Sequence, residues 1–422
     1  MSSQKSPPDL SPLLAGIPAP DAKNITLRVD RSAERALRKR HPWLFEEGIR
    51  EQQREGKAGD HAVIFDRNRN FLALGLYDPR SSIRVRILHA GKPTPVDAEF
   101  FRRRFSKLVA RRKPLLNKDT DGYRLINGEN EGMPGFTLDR YADTLVLKLY
   151  TPAWVPHLPM LIPLLLEVQP VARLVLRLSR EVMKRKEELF GLKDGAILAG
   201  PALTGPVLFK ENGLQFECDP LRGQKTGFFL DQRENRERVE ALASGKEVLN
   251  VFSYTGGFSL YAARGGARKV VSLDISKPAL AAAERNFALN QGDTRVVAAK
   301  HEILAADAFK GLQALAEQKR RFDLVVIDPP SFAKKQAEVK NALEAYERLV
   351  RLGIRVLRSG GHLVMASCSA RVSAENFFNV VHREAQKVGR PIDEVSRSGH
   401  ALDHPVGFPE GEYLKCLFGI VA

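Results

Sequence analysis

The chain has 422 residues, too many for one compact hydrophobic core, and its 43% apolar and 8% aromatic content excludes a wholly disordered protein. Sixty-six Lys and Arg stand against 50 Asp and Glu, a net charge of +16 that points to a polyanionic partner, nucleic acid ahead of a membrane surface. Three cysteines without a CxxC pair, Cys218, Cys368 and Cys416, exclude a disulfide framework and a structural zinc site, so no metal is expected and a reducing cytoplasm fits best.

Residues 1–24, rich in Ser and Pro with one apolar patch cut short by prolines, read as a disordered tail rather than a signal peptide. From 25 to 95 come short strand candidates, "ITLRV", "HAVIFD", "FLALGLYD" and "SSIRVRILH", at the spacing of a small β-barrel. A basic helix ending in Arg38, Lys39 and Arg40, then a His-Pro-Trp turn, separates the first two. His41 in that turn is expected to pack beside Trp43 rather than to touch a ligand.

Residues 96–215 mix strands and helices. The helix "EFFRRRFSKLVARRKPLL" carries seven Lys and Arg between Arg102 and Lys113 and no acid. It is either a solvated face or a phosphate-tracking surface made of Arg102, Arg103, Arg111 and Arg112. Gly132, Pro134 and Gly135 give the following stretch the turn chemistry of a hairpin. The apolar run "PMLIPLLLEVQPVARLVLRL", broken by Pro163, Glu167 and Pro170, reads as a core helix and strand and not as a membrane span.

From 216 to 422 apolar strand candidates alternate with alanine-rich helix candidates: "EVLNVF", "KVVSLDI", "HEILAAD", "FDLVVID", "GHLVMAS" and "YLKCLFGIV". This is the βαβ pattern of a doubly wound parallel sheet, in which ligands bind beyond the carboxyl ends of the strands. The first strand runs into "NVFSYTGGFSLYAA", where Gly256 and Gly257 permit a tight turn into a helix without the lysine of a phosphate loop. Asp274 ends the second strand, where an acid accepts from ribose hydroxyls, and Asp307 after the third is suited to an adenine amino group. Three such strand ends outline an adenosine pocket without strong phosphate recognition, which favours S-adenosyl-L-methionine; the plainer reading is that both acids cap helices. The fourth strand ends in "VVIDPPSFAKK" and the fifth in "ASCSARVS", so Asp328 and Cys368 should converge at one edge of the sheet.

The combination of "HPWLF", "LRGQKTGFFLDQRENR", "NVFSYTGGFSLYAA", "VVIDPPSFAKK", "ASCSARVS" and "DHPVGFPEGEYLK" resembles bacterial large-subunit ribosomal RNA 5-methylcytosine methyltransferases with an N-terminal PUA domain. The likeness runs from about residue 25 to the C-terminus. It implies a PUA-type β-barrel, a mixed α/β linker domain and a Rossmann-like methyltransferase domain, in that order. It also implies S-adenosylmethionine bound by Phe252, Ser253, Tyr254, Thr255 and Gly256 with Asp274, Asp307 and Asp328, and bordered by Lys225, Thr226 and Gln232.

Cytosine C5 is a poor nucleophile, and a thiolate adding to C6 raises the electron density at C5; this is the reason a cysteine is wanted. The resemblance implies Cys368 as nucleophile and Asp328 as the holder of ring N3 and N4, with Pro329, Pro330 and Ser331 beside the base. Many RNA 5-methylcytosine enzymes carry a second cysteine after Asp-Pro-Pro; here Ser331 stands there, leaving the proton-removing base unidentified. Large-subunit ribosomal RNA is the implied partner, and a homodimer is neither required nor excluded. The rival readings are an N2-guanine ribosomal RNA methyltransferase, which needs no cysteine, and a non-catalytic RNA-binding assembly factor. A small-molecule methyltransferase is weaker still, since it leaves the charge without work.

Overall fold

A computed structural model describes residues 8–116 and 118–422, so the first seven residues of the expected tail lie outside the described ones. It divides into two compact units. The first takes the described residues up to Gly213 with Cys218–Leu230 and Asp403–Phe408; the second takes Leu214–Glu217, Asp231–Leu402 and Pro409–Ala422.

The first unit contains a six-stranded sheet in the order Trp43–Phe45, Ile83–Ala90, Phe71–Tyr77, His61–Phe65, Ile25–Val29, Ile49–Gln52. The alternation in "ITLRV" puts Ile25, Leu27 and Val29 into its core together with Ala62 and Ile64. A second sheet of five strands runs Ile197–Ala199, Arg173–Leu178, Thr144–Leu149, Phe136–Tyr141, Gly122–Asn127. The hairpin expected around Gly132 joins its last two strands, and Gly132 itself takes a left-handed φ of 75°. The apolar run is the helix Leu158–Val168 followed by the strand Arg173–Leu178, and among the described residues no helix is long and apolar enough to cross a membrane.

Two expectations change here. Residues 8–24 do not behave as a disordered tail: Ser11 N–H donates to the Leu198 carbonyl, and Leu14 and Ile17 are buried in the first unit's core. Their apolar side chains have somewhere to go, which composition could not reveal. Nor is the cut at 216 clean. Asp403 accepts the Arg124 N–H at 2.8 Å and the Pro405 carbonyl accepts from Asn127 at 3.0 Å, so Asp403–Phe408 returns to the first unit.

The second unit is built on seven strands: first Glu247–Val251, second Lys269–Asp274, third Lys300–Ala305, fourth Phe322–Ile327, fifth Leu357–Ser367, sixth Ile392–Ser398 and seventh Lys415–Val421. Their order is third, second, first, fourth, fifth, seventh, sixth. The first five are parallel; the seventh is antiparallel to both of its neighbours. The sixth escaped the sequence reading because an edge strand of polar composition, "IDEVSRS", has no apolar run. A polar relay ties the layers under the first loop. Asn250 Nδ2 donates to Ser259 Oγ at 2.9 Å, Ser259 meets Ser272 at 2.7 Å, and Ser272 meets His301 Nε2 at 2.8 Å.

His301 in the second unit, stacked on Phe287 at 3.8 Å, and His157 in the first, bonded to the Gly59 carbonyl at 2.7 Å, are both pulled down by burial to a pKa of about 4. An unfolded histidine takes its proton near 6.5, so between about 6.5 and 4 the unfolded chain binds more protons than the folded one and stability is lost as pH falls. Urea unfolding at pH 5 should show roughly 2 kcal/mol less stability per buried histidine than at pH 7. His301→Gln should flatten that dependence; an unchanged slope would refute the assignment.

Candidate active site

Between the first strand and the helix Gly257–Arg264 the chain turns through a strained loop. Phe252, Tyr254 and Gly256 have φ of 60°, 47° and 77°, and each non-glycine residue held there costs on the order of 1–2 kcal/mol. Asp274 holds the loop: one carboxylate oxygen accepts the Tyr254 N–H at 2.8 Å and the other accepts the Ser276 N–H at 2.8 Å. Asn286 adds a bond to the Thr255 carbonyl at 2.8 Å. Gly256 has no room for a side chain, since a Cβ would lie 2.8 Å from that of Ala283.

Asp307 caps the helix Ala308–Glu317 through the Lys310 N–H. The plainer reading thus holds for its geometry, and for Asp274 the backbone bonds stand beside any ligand contact. Ser253 Oγ and Thr255 Oγ1, in contrast, are buried with no partner among the described residues. A loop that spends strain to face two unsatisfied hydroxyls along the carboxyl ends of a parallel sheet fits a nucleoside cofactor that accepts and donates there.

The fourth and fifth strands pair in parallel, Ile327 opposite Met365, and carry their ends to the same edge. Cys368 Sγ lies 3.8 Å from the Pro329 carbonyl, so the stretch that bears Asp328 and the one that bears the cysteine meet as expected. Cys368 is half-buried, while Cys218 and Cys416 are buried; burial pushes the Cys416 thiol well above its ordinary range. Pro329 is buried and Pro330 exposed. Ser331 Oγ bonds Ser369 Oγ at 3.3 Å, and the Phe332 N–H donates to the same Ser369 oxygen at 3.1 Å, which fastens the two strand ends together.

Two groups near the cysteine had gone unnoticed in the sequence. The Tyr346 hydroxyl, from the helix Val339–Arg355, bonds Ser367 at 2.7 Å and Ser369 at 3.1 Å; burial pushes it up to about 12, against the lowering effect of those bonds. Lys415, at the head of the seventh strand, is buried and donates to the Ser369 and Val372 carbonyls, both at 2.7 Å. The one available signal was a lysine inside an otherwise apolar strand, "YLKCLFGIV".

The remaining expected residues divide between the units. Lys225 and Thr226 fall in the first, where Thr226 is buried and bonds Tyr141 at 3.0 Å as well as Asp139. Gln232 falls in the second, buried and accepting from Asn235. Of the basic residues, Lys39, Arg40 and Arg103 are exposed. Arg38 is exposed but engages Glu34 and Asp66, Arg102 engages Glu99 and Glu167, and Arg111 lies half-exposed 3.5 Å from Glu131. Arg112 is a correction. It is buried, gripping Glu131 at 2.8 and 2.5 Å and the Arg124 carbonyl at 2.7 Å, so it holds the fold together and offers no charge to a phosphate.

An α/β sheet of this order, with a strained glycine loop after its first strand and an acid after its second, defines a protein of the class that holds a nucleoside cofactor at its carboxyl edge. Residues 196–410 match the family of S-adenosylmethionine-dependent methyltransferases, and residues 27–90 match a PUA-like domain. A Deinococcus radiodurans protein named ribosomal RNA large subunit methyltransferase is 49% identical over 95% of this chain and 98% of its own length. Ribosomal RNA large subunit methyltransferase I from Aliivibrio fischeri (strain ATCC 700601 / ES114) is 37% identical over 93% of this chain and 98% of its own. A solved structure of a proposed SAM-dependent methyltransferase from Streptococcus mutans superposes with a TM-score of 0.77 at 23% identity, covering 94% of this chain and all of that one. The chain belongs to the S-adenosylmethionine-dependent methyltransferase family, in a form that carries a PUA-like domain.

Gly256→Ala should weaken S-adenosylhomocysteine binding at least tenfold by calorimetric titration, because the left-handed φ and the contact with Ala283 both resist a methyl group. Affinity equal to that of the natural chain would remove the loop from the cofactor site.

Proposed function

We propose that the protein methylates C5 of a cytosine in large-subunit ribosomal RNA, with Cys368 as nucleophile and Asp328 as the group that holds the ring. The observation that carries this reading is the approach of the half-buried Cys368 sulfur to the Pro329 carbonyl at 3.8 Å, which sets a thiol beside the Asp-Pro-Pro turn. The residues of the second unit that suit the cofactor are Phe252 to Gly256, with Asp274, Asp307 and Asp328, and the motifs add Gln232. When bound, S-adenosylmethionine supplies the methyl group that C5 receives. The Cys368 thiolate adds to C6, Asp328 meets N3 and N4, and Pro329, Pro330 and Ser331 border the base. Loss of the C5 proton then lets the sulfur leave. The base must leave its stack to reach the cysteine.

Support for RNA comes from the first unit and from the names of the relatives. Two adjoining cavities there, of about 420 and 360 Å³, share Arg104, Asn130 and Gly132. One is walled by Arg103, Lys107 and Arg111, the other by Arg40, His41 and Phe408. His41 also packs edge-on against Trp43 at 5.6 Å, so the structural role expected for it and a place on the cavity wall coexist. Cations beside aromatic rings suit a backbone and its unstacked bases. Work on ribosomal RNA also suits the cytoplasm.

With unmodified ribosomal RNA and labelled cofactor, label should appear on cytosine C5 and vanish in Cys368→Ala by mass mapping; label on guanine, or cytosine label indifferent to the change, would overturn the reading. Replacing Lys39 and Arg40 by Ala should lower the log–log salt slope of RNA binding by roughly 0.7–0.9 for each phosphate that these side chains neutralise. A slope that does not move would take these two residues out of the RNA surface.

A further inference from the structure

The identity of the nucleophile leaves open what makes its thiol ionise. Lys415 lies directly opposite Ser367 in the antiparallel register of the fifth and seventh strands, one residue from Cys368. Its ammonium is buried and anchored on the carbonyls of Ser369 and Val372, the turn that carries the cysteine. Two carbonyls take two of its three N–H bonds, leaving one donor and the whole charge to the site. A buried lysine in a strand core costs desolvation free energy, and no carboxylate bonds it among the described residues.

We propose that Lys415 is the positioning residue of the nucleophile: held on the Ser369 and Val372 carbonyls, its positive charge favours Cys368 as a thiolate and fixes the turn that presents the sulfur. This rests on Cys368 being the nucleophile. The S–H bond breaks, its proton passes to water, and the sulfur keeps the electron pair beside the ammonium. The groups that bear on this pair come from four elements. Glu412 precedes the seventh strand, and both it and Cys368 act on Lys415, which burial pulls down to about 8. Tyr346 and Asp328 approach from the helix and the fourth strand, and both Cys368 and Asp328 raise the Tyr346 phenol. Of the groups just named the lysine is the cation, and its charge opposes the negative charge that gathers as the thiol ionises.

The test is the pH dependence of iodoacetamide alkylation at Cys368, followed by peptide mass spectrometry, in the full-length chain and in Lys415→Gln and Lys415→Arg. Gln keeps a hydrogen-bond donor for the carbonyls and removes the charge. Its alkylation midpoint should rise by about one pH unit, making the reaction roughly tenfold slower near neutrality, while Arg stays close to the natural chain. A Gln variant that titrates like the natural chain would overturn the proposal and leave Lys415 a staple. Should the Gln variant fail to fold, thiolate absorbance in the natural chain, corrected with Cys368→Ser, decides: a midpoint below the free-thiol value of about 8.5 supports the proposal and one at or above it refutes it. Methyl transfer that survives Cys368→Ala alongside an acidified thiol would remove the nucleophile reading while leaving the Lys415 effect intact.

Discussion

The strand Leu357–Ser367 is hydrogen-bonded along both edges, parallel to Phe322–Ile327 and antiparallel to Lys415–Val421. From the parallel side comes the Asp-Pro-Pro turn, delivered in register so that the Pro329 carbonyl meets the Cys368 sulfur. From the antiparallel side comes Lys415, opposite Ser367. A slip of one residue in either pairing would turn every side chain of the strand to the other face and separate these groups. The core under the strand resists such a slip, because Leu363 and Met365 pack with Ile327, Tyr346 and Leu417 in one fully buried cluster.

Rigidity at the strand end is polar as well as apolar. Ser367 and Ser369 are fully buried and share the Tyr346 hydroxyl, and Ser369 also accepts the Phe332 N–H. The half-exposed cysteine thus sits between two fixed serines. The hydrogen bonds of those serines fix the turn, and the sulfur between them lies 3.8 Å from the Pro329 carbonyl. Along the same carboxyl edge, on the second strand, the same economy appears in Asp274, whose two oxygens hold the loop that Ser253 and Thr255 line.

The basic character of the first unit is not one uniform surface. Arg112, Arg104 and Arg124 are turned inward, onto Glu131, onto the Leu88 and Gly132 carbonyls, and onto Asp139. Burial alone lowers the Arg104 guanidinium to about 10. What faces outward is a smaller set that includes Lys39, Arg40, Arg103 and Lys107, so net charge overstates the cations available to a polyanion.

By itself the sequence determined the βαβ alternation after residue 216 and the strand ends bearing Asp274, Asp307, Asp328 and Cys368. These are local properties: apolar runs specify strands, and the residue after each run lies at the carboxyl edge of a parallel sheet. Tertiary structure decided what depends on contacts between distant segments. Arg112 reads like its neighbours in "ARRK" until Glu131 folds onto it. Residues 8–24 read as a tail until Leu14 and Ile17 find the core. Lys415 is 47 positions from Cys368, and only an antiparallel seventh strand makes them neighbours. Periodicity records which face of an element is buried; it carries no record of which buried groups from other elements meet there.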